Sequence, residues 1–193
     1  MVRKTLICAL AVVAVSAFAQ DYPQTAQDVG AINTSGTVSA VEFRNGVVNQ
    51  TQLTISKAFT GLDGDGIESG GTALYDFPAG RIFVLGATAD LDSTATAGVT
   101  GAYVLSLGTV KMATTNDTLV TTSADIIPSI SCATGTVTAT SALSSEAQFD
   151  GTTTAKDVWL NFALPAASSD NASTNTITVT GTATITWINL GDY

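Results

Sequence analysis

Histidine is absent from the 193 residues, and seven lysines and arginines face sixteen aspartates and glutamates. Without histidine, the usual base that activates a serine or cysteine is missing, as is the commonest ligand of zinc and copper. The shortage of cations argues against nucleic acid, because binding a phosphate backbone relies on clustered Lys and Arg. The same sign disfavours anionic membrane surfaces. Cysteine is scarce too: Cys8 lies in an N-terminal apolar run, which leaves Cys132 alone in the rest of the chain. No disulfide then closes within one processed chain, and a domain of about 174 residues needs none, since it buries roughly 70% of its unfolded surface. Cys132, in SISCAT, reads as a small buried hydrophobe. The Glu, Lys and Leu mixture of amphipathic helices is also missing, with threonine and valine in its place.

The N-terminus is the most legible segment. Arg3 and Lys4 precede a short apolar run from Leu6 to Phe18, and Ala17-Phe18-Ala19 ends it with small residues where a signal peptidase reads. The run is shorter than the roughly 20 residues that span a bilayer, and polar sequence follows at once. The reading is a secretory signal peptide over residues 1–19, cleaved to leave Gln20, with no membrane insertion and a secreted or cell-surface destination. Processing leaves five basic residues against sixteen acids, a net charge of about −11. The acids are scattered, as on a solvated surface that keeps an exported chain soluble.

Beyond the signal the dominant pattern has period two. In TITVTGTATITWINLGDY, Ile177, Val179, Ala183, Ile185 and Trp187 fall on one face, while threonines from Thr178 to Thr186 fall on the other. Gly181 interrupts the apolar face and predicts a bulge or bend. Thr176 to Leu190 would extend roughly 50 Å at about 3.3 Å per residue, longer than a usual strand. Such a strand either bends at Gly181 and crosses between two sheets, the preferred placement, or pairs with a neighbouring subunit. In DVWLNFAL, Val158, Leu160, Phe162 and Leu164 alternate with Trp159, Asn161 and Ala163. TVSAVEF, GVVNQTQLTISKAF, ALYDF, RIFVLGATADL, GAYVLSLGTVKM, DTLVTT, ADIIPSI and GTVTATSAL are further strand candidates between turn-forming clusters. About ten short strands without an internal repeat predict an all-β, antiparallel sandwich of the jelly-roll kind. The expected organisation is a leader arm over 20–35 and a single sandwich domain over 36–193.

Two places carry chemistry. GLDGDGIESGG, residues 61–71, holds three acids and five glycines. Asp63, Asp65 and Glu68 could supply oxygens to a calcium ion, with Gly64 and Gly66 letting the backbone curl. The spacing departs from an EF-hand, because Ile67 stands where a third Asp or Asn belongs, so the first reading is an acidic turn and the second a structural calcium site. Asp90 and Asp92 share one side of an extended chain, as a second cation site or as the start of a polar loop. Trp187 shares the face of Ile185 and is expected in the core. Trp159 lies opposite Leu160 and Phe162 and is the candidate exposed aromatic for binding a glycan or partner.

The blocks ALYDFPAGRIFVLGATADL, SADIIPSI, FDGTTTAKDVWLNFAL and ITVTGTATITWINLGDY resemble blocks of virion structural proteins of tailed bacteriophages. The resemblance covers much of Ala73 to Tyr193 and implies a β-rich coat, decoration or fibre component, with no catalytic residues to carry over. The signal peptide departs from that pattern, since phage virion proteins usually assemble in the cytoplasm. The combined expectation is a non-enzymatic structural subunit of an extracellular or virion assembly, self-associating, with no cofactor beyond a candidate calcium ion. The alternative is a secreted, calcium-stabilised glycan- or partner-binding module.

Overall fold

The structure, a computed structural model, describes residues 27–30, 37–45, 47–62, 69–99, 102–114, 118–132, 135–140, 142–143, 147–154, 156–164 and 175–191. The signal segment lies outside them, as does most of the expected leader. Alternating side chains become strands: β1 (Gln27–Gly30), β2 (Thr37–Asn45), β3 (Val48–Leu62), β4 (Ser69–Asp76), β5 (Arg81–Ala95), β6 (Tyr103–Gly108), β7 (Ile127–Cys132), β8 (Gly135–Thr140), β9 (Gln148–Asp150), β10 (Asp157–Ala163) and β11 (Asn175–Asn189). A 3-10 turn spans Thr121–Ser123. It falls where DTLVTT predicted a strand.

All pairings are antiparallel. One sheet runs β1-β2-β3-β11-β5-β8, with β9 also on β5, and the other runs β4-β10-β6-β7. Eight of the strands are nested: β3 pairs with β11, β4 with β10, β5 with β8 and β6 with β7. A long hairpin folded over in this way is a jelly roll, the predicted sandwich. β1 and β2 widen the larger sheet beyond the eight. β1 comes from the stretch expected as leader, and β9 had no counterpart in the sequence reading.

The long C-terminal strand neither crosses between sheets nor leaves the domain. β11 lies in the middle of the larger sheet, between β3 and β5, in pairing that is continuous on both sides from Ile177 to Thr186. Gly181 is not a bulge: it stands in register with Ile55 on one side and Leu91 on the other. Its φ is +133°, and a Cβ there would fall 2.2 Å from the Asp90 carbonyl oxygen, so the position requires glycine for its backbone and its lack of side chain. The bulge lies next door in β5, where Thr186 faces Gly86 and Trp187 faces Val84, leaving Leu85 as the extra residue. It switches the inward face of β5 from Ile82 and Val84 to Ala87, Ala89 and Leu91, and turns Leu85 out, 52% exposed.

Between the sheets, Ile177, Val179, Ala183, Ile185 and Trp187 are buried together with Leu53, Ile55, Val158, Leu160 and Phe162. Trp187 is 1% exposed, and its Nε1–H donates to Thr51 Oγ1 at 2.9 Å. It packs edge-on to Phe77 at 5.4 Å, and Phe77 in turn meets Tyr75 and Phe149. An aromatic cluster thus closes one end of the core, with the polar edge of Trp187 satisfied. Cys132 is buried as expected, and burial raises its thiol pKa, which keeps it from acting as a thiolate.

Candidate functional site

Strand β10 places the site because it is buried on both faces. Its inward residues are those the alternation selects, but Asn161 and Ala163 on the opposite face are also fully buried. Residues 109–114 and 118–126 lie over that outer face as a strap. Met112 and Leu119 from the strap pack on Ala163, with Val104 and Ala124 at the side, as a small second core.

Asn161 ties the strap down. Its side-chain oxygen accepts from Met112 N–H at 2.9 Å, and its Nδ2 donates to the carbonyls of Val110 at 3.0 Å and Ser123 at 2.9 Å. Ser106 Oγ donates to the same Ser123 carbonyl at 2.7 Å. Asp125 secures the strap's beginning and end together. Its carboxylate accepts from Thr109 N–H at 2.8 Å and Thr109 Oγ1 at 2.6 Å, and it is 0% exposed.

Burial raises the Asp125 pKa, opposed by the two hydrogen bonds from Thr109 and, more weakly, by Lys156. A carboxyl that holds its proton more tightly when folded stabilises the fold most below the ordinary carboxylate range. That contribution fades as pH rises through the raised value. Asp125→Asn keeps an acceptor for Thr109 N–H and removes the charge. Its unfolding free energy, measured in urea, is expected to gain on that of the parent protein between pH 4 and pH 7, by about 1.4 kcal/mol for each tenfold difference in proton affinity between folded and unfolded chain. A constant gap across that range would show that Asp125 does not titrate with folding.

The anchored strap presents Lys111 beside Trp159, with Nζ 6.0 Å from the ring centroid. Trp159 is half-buried rather than freely exposed. Together they border a groove of about 550 Å³ that also takes in Lys57 and Thr60 from β3, Thr114 from the strap, and the glycines of β4. Phe59 and Phe162, rings 4.5 Å apart, form its apolar floor. β4 fits here because it lacks side chains at the right place: a Cβ on Gly71 would fall 2.1 Å from Asn161 Oδ1. Ser69 Oγ donates to the Ala113 carbonyl and joins β4 to the strap.

Of the residues singled out from sequence, Trp159 therefore lies on a groove. Asp63, Asp65 and Glu68 lie outside the described residues. Asp90 and Asp92 do not begin a loop: both are exposed in the middle of β5, and Asp90 accepts from Thr138 Oγ1 at 3.3 Å across the sheet. Among the described residues, no three His, Cys, Asp or Glu side chains come together as a metal site. Lys57 and Lys111 were not foreseen, although their scarcity was a signal, since few positions in this chain offer a positive charge. No family model matches the chain, and comparison with curated proteins and with solved structures returns no match.

Proposed function

We propose that the protein is a non-enzymatic structural subunit of an extracellular or virion assembly, joined to copies of itself through its sheet edges. The observation that carries this reading is the widened sheet. Eight strands complete the jelly roll, yet β1 and β2 continue the hydrogen-bonded order outward. The sheet ends at β1, whose far side meets no other strand among the described residues. Such an edge is a template for another strand unless charge, proline or a covering segment blocks it. The likeness to phage virion proteins in the blocks from Ala73 onward supports the same reading. The groove at Trp159 favours a second one, a secreted module that binds a glycan or partner.

Light scattering coupled to size exclusion separates the two. A chain starting at Gln20 is expected to form ordered oligomers at micromolar concentration. A chain starting at Thr37, which keeps all eight nested strands, is expected to be a folded monomer. A chain from Gln20 that stays monomeric would reject the subunit reading in favour of the module.

A further inference from the structure

We propose that the groove between β3, β4 and the strap binds an acidic saccharide, a sugar chain carrying carboxylates such as a polyuronate. The proposal rests on the groove and not on assembly, so it holds for a subunit and for a free module.

The distribution of positive charge is the first ground. Processing leaves five basic residues: Arg44, Lys57, Arg81, Lys111 and Lys156. Arg81 lies 3.7 Å from Asp150, and Lys156 sits 5.1 Å from the centre of the Phe149 ring. Lys111, exposed on the strap, borders the groove. On a processed chain with five basic residues against sixteen acids, a net charge of about −11, a cation at a depression makes a local site for an anion, and the negative surroundings would repel anions elsewhere.

The second ground is the aromatic ring. An indole face accepts the C–H-bearing face of a pyranose while its surroundings hydrogen-bond the hydroxyls, a combination of apolar wall and few polar groups common to small-ligand sites. Thr60 and Thr114 are exposed hydroxyls on the same groove. A volume of about 550 Å³ falls within the roughly 300–1,000 Å³ of ligand sites and admits two or three sugar rings. Lys111 Nζ lies over the Trp159 ring, 6.0 Å from its centroid, so a sugar stacking on the indole takes its place and the displaced ammonium meets the carboxylate at the ring's edge. The acid specifies the sugar, and the ring specifies that the acid is on a sugar.

Trigalacturonic acid and its full methyl ester test this, because esterification removes the charge and leaves the ring faces. Binding is read by calorimetry and by tryptophan emission of the chain from Gln20; Trp187 is buried, so emission changes on binding report Trp159. The acid is expected to bind at least about tenfold more tightly than the ester. Lys111→Gln is expected to weaken the acid about tenfold while leaving the ester unchanged. Trp159→Ala is expected to remove binding of both, and Trp159→Phe to retain part of it. Near-UV circular dichroism from the Trp187 cluster checks that each variant is folded. Equal affinity for acid and ester, full binding by folded Trp159→Ala, no binding of the acid at millimolar concentration, or equally tight binding of triglutamate would each overturn the proposal. The oligomeric state plays no part in these readouts, so failure here leaves the subunit reading standing.

Discussion

A chain that stops at Ala183 is expected to have no cooperative unfolding transition. The missing residues include Thr184 to Asn189, the half of β11 that pairs with Gln52 to Val48 on one side and Thr88 to Ile82 on the other. Without them the larger sheet loses its middle, and β3 and β5 face each other across a gap. Ile185 and Trp187, 0% and 1% exposed, leave the core at the same time. Removing a buried aromatic to alanine costs about 3–5 kcal/mol, and losing a buried isoleucine adds roughly 2–5. Together they approach the whole margin of a typical domain, about 5–15 kcal/mol, before any lost hydrogen bond is counted. Trp187→Ala alone is the graded version, with an expected loss of about 3–5 kcal/mol in urea unfolding followed by circular dichroism. A truncated chain with a native spectrum and a sharp transition would contradict this account of the core.

Asn161→Ala is expected to release the strap while leaving the jelly roll folded. The substitution removes an acceptor from Met112 N–H and a donor from the Val110 carbonyl, both beneath the strap; the Ser123 carbonyl keeps the Ser106 hydroxyl. The buried Met112 N–H left without a partner costs about 1–3 kcal/mol, while the carbonyl of Val110, a residue 42% exposed, can turn to water, so the total is roughly 1–3 kcal/mol. Asn161→Asp should be no milder. It retains the acceptor for Met112 but turns a carboxylate oxygen toward two carbonyls. Hydrogen exchange resolves the effect by place: amides from Thr109 to Ile126 are expected to lose protection and those of β11 to keep it. Unchanged protection in the strap would mean that its small apolar core, not Asn161, holds it.

What could be read from sequence follows from how each face is covered. The inward set of β11 was legible because its other face is a row of hydroxyls, and alternation is unambiguous when one side is apolar and the other polar. β10 was half legible. Val158, Leu160, Phe162 and Leu164 stood out, but alternation assigned Asn161 to solvent, because nothing local announces that a segment fifty residues earlier folds back over it. That segment is rich in threonine, and its two anchoring apolar residues, Met112 and Leu119, are too far apart to form a period. The bulge was misplaced for a different reason. Gly181 drew attention as a glycine in a strand, whereas the break in parity between Val84 and Ala87 in RIFVLGATADL marked the true position. Trp159 was placed at a surface by its position opposite Leu160, but the groove beside it needs β3 and the strap, which only the tertiary fold brings near.

The nested pairing has a consequence in time. The innermost hairpin, β6 with β7, joins strands separated by fewer than twenty residues, while the outermost pair brings Thr51 and Trp187 together across 136 positions. Loop closure grows more costly with separation, so long-range pairs form late and such topologies fold slowly. Here the strand that comes last in the nested order is also the centre of the larger sheet. No portion of the chain N-terminal to β11 can complete that sheet, so β3 and β5 wait for it before the larger sheet closes.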